Sequence, residues 1–266
     1  MLDIRDIRKT FNADTPNEVR ALRGVSFKIE EGSFVTVIGM NGSGKSTLLN
    51  AVAGSFFVDE GTIHLSGENI TALPEHRRAR RIGRVFQNPF SGTAPSMTIA
   101  ENLALAAKRG KRRGLGWALA PNFKSKLRDR ICCLDMGLED RMDQPIGLLS
   151  GGQRQAITLL MATWNRPELL LLDEHTAALD PNSAEQVLQL SEETIREGKL
   201  TTMMVTHSMQ QAATMGDRLI MMHGGEVLHD FQGDEKKRLS AGDLLARFEE
   251  VARKENLEDT LHSITL

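Results

Sequence analysis

The sequence has few cysteines and lacks any apolar run long enough to cross a membrane. Its two cysteines, Cys132 and Cys133, are adjacent, and neighbouring cysteines bridge poorly and lack the spacing of a zinc site. We therefore expect reduced structural thiols. No apolar stretch approaches the roughly 18–20 residues that span a bilayer, and the start, MLDIRDIRKTF, is unlike a signal peptide. These absences predict a cytoplasmic chain that reaches a membrane only by docking onto other subunits.

Neither sign of charge dominates the chain. With 33 basic and 35 acidic side chains among 266 residues, the formal net charge is -2, so we expect no nucleic acid as the main partner. The length suffices for one sizeable core, or for a core with a smaller subdomain. A basic cluster at residues 108–113 is interpreted either as a solvated loop or as an approach to anionic lipid headgroups.

Apolar patterns predict several strands. Near the start, Val25, Phe27 and Ile29 alternate with polar residues, which indicates short strands. Continuous apolar runs, typical of strands buried on both faces, lie at residues 34–38, 169–172, 202–205 and 219–222. Helical patterns fall between these runs, one of them opened by Asp180 and Pro181. The alternation predicts an α/β fold with a mostly parallel sheet and helices on its faces.

The middle and the end of the chain differ from this pattern. From about residue 88 to 149 there is no strong strand signal, and residues 98–108 and 122–136 resemble amphipathic helices. This region is predicted to be a helical insertion in the core. After residue 231, Ser240 and Asp243 indicate a helix start. The helix is predicted to pack through an apolar stripe of Leu244, Leu245, Phe248 and Val251.

A glycine-rich segment joins the first buried run to a helix. GMNGSGKS, residues 39–46, fits G-x-x-x-x-G-K-[ST], and the helix after it is closed by Gly54. Glycines let successive amides point inward at phosphate oxygens, and the helix adds the positive end of its dipole. We expect Lys45 to reach the β- and γ-phosphates and Ser46 to ligate Mg²⁺; an ordinary glycine-rich turn is the alternative. The predicted nucleotide-binding residues are Gly39, Met40, Asn41, Gly42, Ser43, Gly44, Lys45, Ser46 and Thr47.

A second pattern, LLLLDE, ends at Asp173 and Glu174. An aspartate at the tip of a buried strand is well placed to hold Mg²⁺, directly or through water. The glutamate after it can polarise a water molecule for attack on the γ-phosphate, as a general base. Alone, the pattern also fits any buried strand that meets solvent. Its occurrence together with the glycine-rich segment favours the catalytic interpretation.

A third pattern, LSGGQRQA at residues 149–156, precedes that strand. Ser150 and Gln153 have the spacing of a capping box that opens a helix. Gly151 and Gly152 leave the first-turn amides uncovered, which predicts a second anion site. A simple helix cap is the alternative, but the five-residue string LSGGQ is too specific for it.

LSGGQ resembles the signature motif of the ATP-binding-cassette (ABC) ATPases, and the resemblance covers about residues 1–231. It implies a P-loop NTPase (RecA-like) core with a mostly parallel sheet, an antiparallel β subdomain and a helical insertion subdomain at about residues 88–150. Residues 232–266 would form a short C-terminal helical tail. The expected cofactors are ATP and Mg²⁺. The family arrangement is a head-to-tail homodimer that sandwiches two ATP molecules, since one chain cannot easily close both anion sites around one nucleotide.

Further residues match this family in chain order. Gln87, in RVFQN, resembles the Q-loop glutamine, which touches Mg²⁺ and the attacking water and links the site to the helical subdomain. Asp180 resembles the D-loop aspartate at the dimer interface. His207, in VTHS, resembles the switch histidine that contacts the γ-phosphate. Phe11 lies where the family places an aromatic residue that stacks on adenine, although it could instead belong to the core.

His175 departs from the family, most of whose members carry proline after the catalytic glutamate. A histidine there could titrate near neutrality and perturb Glu174, or it could be a tolerated loop variant. The strings DEHTAALDP, GTAPSMTIAENLALA and RLIMMHGGEV resemble a narrower bacterial branch. Its members work with a separate permease and a lipoprotein-type substrate-binding protein, and some are linked to aromatic amino-acid import.

The resemblance therefore implies an ATPase, peripheral at the cytoplasmic face of the inner membrane, that powers a bacterial importer. The alternatives are an exporter ATPase with a separate permease and a soluble ABC ATPase that acts on DNA or ribosomes. The second of these lacks support, because the chain has neither long coiled coils nor a second cassette. A degenerate cassette is disfavoured by the intact set of motif residues, namely Lys45, Gln87, Asp173, Glu174 and His207.

Overall fold

The computed structural model describes residues 1–110 and 121–264 and contains two β-sheets with helices around them. The strands are, in chain order, β1 Leu2–Phe11, β2 Val19–Ile29, β3 Phe34–Gly39, β4 Glu60–Leu65, β5 Glu68–Asn69, β6 Ile82–Val85, β7 Leu169–Asp173, β8 Thr202–Val205, β9 Arg218–His223 and β10 Glu226–Gln232. The helices are α1 Lys45–Ala53, α2 Glu75–Arg78, α3 Ile99–Ala107, α4 Pro121–Cys132, α5 Gly151–Thr163, α6 Pro181–Gly198, α7 Met209–Thr214, α8 Gly233–Arg238 and α9 Ala241–Ile264. Lys111, Arg112 and Arg113 of the basic cluster lie outside the described residues.

The larger sheet has six strands in the order β10-β9-β3-β8-β7-β6. Strands β9, β3, β8, β7 and β6 run parallel, and β10 pairs antiparallel with β9. The inner strands β3 and β8 and most of β7 are buried on both faces, as in parallel sheets covered by helices on either side. The predicted mostly parallel sheet is confirmed.

Alternate side chains of the inner strands face two separate layers. Leu169 and Leu171 of β7 share an apolar cluster with Leu49 of α1 and with the smaller sheet. Leu170 and Leu172 of the same strand share another cluster with α5 and α6. Helices α1 and α5 therefore cover opposite faces of the six-stranded sheet.

The smaller sheet is antiparallel, with the order β2-β1-β4-β5, as the resemblance implied. Strands β1 and β2 have 10 and 11 residues, so the prediction of short strands is wrong. The pairing register of β1 shifts between Ile4 and Ile7. Such a bulge interrupts the alternation of apolar and polar residues, so the alternation does not reveal the full length of the strand. In the part of β2 with clear alternation, Val25, Phe27 and Ile29 are buried and the polar residues between them are exposed.

Helices α3 and α4 form between β6 and β7. A capping box begins α3, in which Thr98 Oγ1 accepts from the Glu101 amide at 3.1 Å and the Glu101 carboxylate accepts from the Thr98 amide at 2.8 Å. Helix α4 ends at Cys132 instead of residue 136, and Asp135 then turns the chain with a left-handed φ of 51°. The apolar side chains of both helices pack in one cluster with the first half of α5.

The environment of the two cysteines differs from the prediction. Both thiols are free, as expected, but Cys132 and Cys133 are exposed and have no structural role in the core. The prediction of structural thiols is wrong because Ile131, fully buried, is the side chain of this turn that enters the apolar cluster.

The last helix begins as predicted. Ser240 Oγ accepts from the Asp243 amide at 3.2 Å, and the Asp243 carboxylate accepts from the Ser240 amide at 2.9 Å. Leu244 and Phe248 are buried in a cluster with α7 and β9, so α9 packs onto the core. Leu245 is 52% exposed, and its place in the packing stripe was wrong, because Leu244 and Phe248, four positions apart, define the buried side of the helix. Among the described helices, none has the length and apolarity to span a membrane.

Candidate functional site

The glycine-rich segment curls between β3 and α1. Gly42 and Gly44 have left-handed φ values of 81° and 95°, which side chains rarely adopt. A Cβ on Gly44 would lie 2.5 Å from the carbonyl oxygen of Ala21, so β2 presses directly against the loop. The Ser43 hydroxyl is buried and has no hydrogen-bond partner among the described residues. A tightly held loop with an unpartnered buried hydroxyl fits the predicted phosphate site.

Lys45 lies at the first position of α1 and is almost fully buried. Its Nζ donates to the carbonyl oxygens of Gly39 at 2.8 Å and Met40 at 3.0 Å. Burial lowers the pKa of the ammonium group, and the carboxylates of Glu174 and Asp173 oppose this shift. The lysine is therefore close enough to the predicted general base, Glu174, and to the predicted metal ligand, Asp173, for both carboxylates to raise its pKa.

Asp173 is the last residue of β7. Burial raises the pKa of its carboxyl group, and a hydrogen bond from Arg84 Nη2 at 3.1 Å opposes the shift. The same nitrogen also donates to the Asn50 amide oxygen at 2.7 Å. Sequence reasoning missed Arg84 and Asn50, because one is the polar member of a short strand and the other an ordinary helix residue. The only signal was a charged residue in β6, three positions before Gln87.

Three predicted catalytic residues meet at the Glu174 carboxylate. Gln87 Nε2 donates to Glu174 Oε2 at 3.1 Å, and His207 Nδ1 lies 3.4 Å from the same oxygen. Glu174 itself has a left-handed φ of 43°, held by a hydrogen bond from its amide to the carbonyl oxygen of Val205 at 2.9 Å. Such backbone strain in a non-glycine residue is typical of functional positions.

The parallel sheet explains why these residues converge. Gln87 follows β6, Glu174 follows β7, and His207 follows β8, and these three strands are neighbours. The carboxyl ends of parallel strands lie at one edge of the sheet, so distant parts of the sequence deliver their side chains to one place. The glycine-rich segment before Lys45 leaves the carboxyl end of β3, next to β8.

The LSGGQ segment opens α5 with the predicted capping box. Ser150 Oγ accepts from the Gln153 amide at 3.2 Å, and the Gln153 side-chain oxygen accepts from the Ser150 amide at 3.3 Å. A Cβ on Gly152 would lie 2.8 Å from the Cβ of Ser183 in α6, and a Cβ on Gly151 would lie 3.0 Å from Leu179. The two glycines therefore allow the start of α6 to pack against the first turn of α5.

Asp180 lies in the same contact region. Its carboxylate caps α6 by accepting from the Ser183 amide at 3.1 Å, and hydrogen bonds to Ser183 lower its pKa. Among the described residues, no hydrogen bond or ion pair joins residues 150–153 to residues 39–47. One chain thus holds the predicted catalytic residues together, with the LSGGQ segment on a different helix at the other face of the sheet.

Phe11 ends β1 and is partly buried. Its ring packs edge-to-face against Phe56, with the centroids 5.3 Å apart, and Lys9 Nζ lies 5.5 Å from the ring centroid. The exposed part of the ring is compatible with the predicted stacking on adenine, and the contact with Phe56 is compatible with a packing role. The role of Phe11 stays a prediction.

His175 is buried and neutral. Its Nε2 lies 2.9 Å from Ser191 Oγ, and that hydroxyl donates its proton to the carbonyl oxygen of Val187 at 2.7 Å. The histidine nitrogen is therefore the donor in its bond with Ser191. Burial lowers the pKa of His175 to about 4, so the interpretation that it titrates near neutrality is wrong.

Comparisons with known proteins agree with this geometry. A family model described as "ABC transporter" matches residues 22–177. The tyrosine transport ATP-binding protein of Clostridioides difficile is 42% identical over 249 residues, which cover 94% of this chain and 99% of that protein. The lipoprotein-releasing system ATP-binding protein LolD 1 of Caulobacter vibrioides is 37% identical, over 84% of this chain and 93% of that protein.

A solved structure gives the same result for the fold. The dimeric, post-hydrolysis state of the ATP-binding cassette MJ0796 bound to ADP and Pi superposes with a TM-score of 0.75 at 28% identity, over 87% of this chain and 98% of that one. With its glycine-rich loop, paired acidic residues and LSGGQ helix in one cassette fold, the chain belongs to the ABC transporter family and is an ATP-binding, ATP-hydrolysing subunit.

Proposed function

We propose that the chain is the ATPase subunit of a bacterial amino-acid importer. The observation that carries this proposal is the 42% identity to a tyrosine transport ATP-binding protein over nearly the full length of both chains. The chain would attach peripherally to a permease at the cytoplasmic face of the cell membrane. An extracytoplasmic substrate-binding protein would deliver the amino acid to that permease.

We further propose roles for the residues around Glu174. The Glu174 carboxylate would take a proton from the attacking water, with Gln87 and His207 orienting it through their contacts with Oε2. Lys45 would neutralise the phosphates, since it is the cation that faces both carboxylates of the site. Asp180 would lie near the nucleotide at the dimer interface.

Mg²⁺ is the expected metal at this site. The donor set fits it, because Asp173, Ser46 and Gln87 supply carboxylate, hydroxyl and amide oxygens, the ligand types that Mg²⁺ prefers. These three residues would hold the ion beside the phosphates, where it would neutralise charge that develops during hydrolysis.

We propose that two copies of the chain form each ATP site. Because α1 and α5 cover opposite faces of the six-stranded sheet, Lys45 and Ser150 of one chain are poorly placed to hold one nucleotide. A head-to-tail homodimer would bring the uncovered first-turn amides of α5 from one copy to the phosphates held by the other. ATP would then act as the bridge that closes the dimer.

The permease would dock beside α3 and the segment after Gln87. Three large apolar side chains are exposed there, namely Phe90 (54%), Leu105 (56%) and Leu148 (70%). Together these three side chains would contribute to an apolar patch, and contiguous patches of that kind mark contact surfaces for other proteins. Gln87 lies between this surface and Glu174, so closure around ATP would move the docked permease.

The similarity to the lipoprotein-releasing ATPase supports a second candidate, an exporter ATPase. The experiment that separates the two is purification of the tagged chain from native membranes, with identification of the attached permease and binding protein. Uptake of labelled tyrosine is then measured in vesicles that hold the complex, with Glu174→Gln as the inactive control. ATP-dependent uptake supports the importer. A complex without a binding protein that extracts its cargo from the membrane supports the exporter.

A further inference from the structure

Arg154 is a buried cation that the proposed mechanism does not use. Its side chain is 2% exposed, burial lowers its pKa, and among the described side chains no carboxylate forms an ion pair with it. A buried charge without an acidic partner is costly and is kept where its hydrogen bonds are used fully. Its contacts therefore indicate what it does.

The guanidinium holds the backbone that leads into the LSGGQ segment. Nε donates to the carbonyl oxygen of Ile146 at 3.2 Å, and Nη2 donates to those of Gly147 at 2.8 Å and Leu149 at 3.1 Å. These three carbonyls precede Ser150, the cap of α5. The planar fork of one arginine thus fixes the path of the chain into the capping serine.

The same guanidinium also contacts the segment after Gln87. Its Cζ lies 3.7 Å from the centroid of the Phe90 ring, a close cation–π contact. The next residue on α5, Gln155, donates from Nε2 to the carbonyl oxygen of Phe86 at 2.9 Å. Neighbouring residues of α5 therefore hold both ends of the turn that presents Gln87.

We propose that Arg154 is a positioning residue that couples the Gln87 turn to Ser150. A shift of the turn toward Glu174 would move Phe90, and Arg154 would pass the shift to the carbonyls before Ser150. This inference deepens the proposed function and rests on it where Ser150 acts on the partner's nucleotide. In the proposed dimer, Arg154 would link Gln87, which positions water at one ATP, to Ser150, which caps the helix that contacts the second ATP.

Hydrogen exchange on the isolated chain tests the link without requiring a dimer. Phe90→Leu removes the ring that stacks on Arg154, and Phe57→Leu is the matched control, since Phe57 is also about half exposed (51%). We expect Phe90→Leu to speed amide exchange at residues 149–153 about threefold, the scale of an exposed cation–π contact. The control leaves that segment unchanged. Faster exchange confined to residues 86–94 would overturn the proposal.

A second measurement follows ATP-driven dimerisation in the Glu174→Gln background by light scattering. Arg154→Lys keeps the charge and loses the planar guanidinium. Arg78→Lys is the control, because Arg78 is equally buried and, among the described residues, also donates its side-chain hydrogen bonds to carbonyl oxygens alone, those of Leu73, Ala51, Val52 and Thr71. We expect Arg154→Lys to raise the ATP concentration for half-dimerisation about tenfold, or about 1.4 kcal/mol. Adding Phe90→Leu should raise it little further. Affinity of the monomer for ADP should stay unchanged.

The results distinguish failure of the Arg154 coupling from failure of the proposed ATP-driven dimer. If Arg154→Lys and Arg78→Lys raised the ATP concentration for half-dimerisation equally, Arg154 would be a general packing residue and the inference would be overturned. Additive effects of Arg154→Lys and Phe90→Leu on that concentration would also overturn it. Failure of the Glu174→Gln parent to dimerise with ATP would contradict the proposed function. The exchange measurement would still decide the coupling.

Discussion

Gln87 and Glu174 share a hydrogen bond of 3.1 Å, from the amide Nε2 to the carboxylate Oε2, although they are 87 positions apart. The bond joins the turn that precedes α3 and α4 to the residue after β7. His207 Nδ1 lies 3.4 Å from the same oxygen. A single oxygen of Glu174, the residue after β7, is therefore in contact with the turn before α3 and with the loop after β8.

We expect Glu174→Gln to bind ATP normally and to lose most turnover. The substitution removes the proposed general base, a loss of about 10²–10⁴ in rate, and keeps the shape of the side chain. Phosphate release and nucleotide binding are measured in parallel. The control is Glu192→Gln, at an exposed position of α6, which should retain full activity. Turnover within threefold or so of the unmodified chain would exclude Glu174 as the base.

His175 should make stability fall in mild acid. Its pKa is about 4 in the folded chain and about 6.5 unfolded, so protons bind the unfolded state first as pH decreases. The stabilising contribution is complete above about pH 6.5 and is lost progressively toward pH 4. Between pH 7 and pH 5 the loss amounts to about 2 kcal/mol.

Urea unfolding at both pH values, for the unmodified chain and for His175→Gln, checks this prediction. All other titrating groups are common to the two proteins, so their effects cancel in the comparison. The variant should lose less stability by about 2 kcal/mol over that interval. An equal loss in both proteins would show that the pKa of His175 is the same in the folded and the unfolded chain, and would contradict the lowered value.

Gly152→Ala should destabilise the chain through a clash with α6. The new Cβ would lie 2.8 Å from the Cβ of Ser183, and overpacking of this kind costs about 1–3 kcal/mol. In a Ser183→Gly background the cost should fall below about 1 kcal/mol, because the clashing atoms are removed. Gly151→Ala is the control: its Cβ meets only the flexible end of Leu179, so Ser183→Gly should bring it no relief. Absence of rescue for Gly152→Ala would place its effect elsewhere.

Leu105→Ser should impair transport and spare the ATPase activity of the isolated chain. Leu105 is 56% exposed in α3, so its replacement removes contact area for the permease without opening a cavity. Transport is measured in vesicles with the permease, and ATP turnover with the purified chain. Leu245→Ser, equally exposed on α9 (52%), is the control and should leave both unchanged. Parallel loss of both activities at Leu105 would indicate misfolding instead of uncoupling.

The sequence predicts those parts of the site whose residues lie close together in the chain, at a fixed spacing. The loop before Lys45 and the cap at Ser150 are determined by a few neighbouring residues, and both have the expected local geometry. The buried strand that ends at Asp173 is equally local. The alternation of buried runs with helical patterns predicted the α/β class, and the family resemblance supplied the antiparallel β subdomain.

Other features depend on contacts between distant segments. Arg84 reaches Asp173 only because β6 and β7 pair in parallel, and nothing in the sequence around Arg84 indicates this. The neutral state of His175 depends on burial beneath α6 next to Ser191. The exposure of Cys132 depends on which side of α4 faces the core. In each case the deciding neighbour lies too far along the chain for periodicity to identify it.

The central claim is that each ATP lies between Lys45 of one copy and Ser150 of the other. The most direct test mixes differently tagged Lys45→Ala and Ser150→Arg chains, both in the Glu174→Gln background, and measures ATP-dependent heterodimers by pull-down and light scattering. Each variant alone should stay monomeric with ATP. The mixture should form heterodimers, because one interface carries both defects and the other is intact. If no heterodimer forms while the Glu174→Gln parent dimerises under the same conditions, the shared site is contradicted.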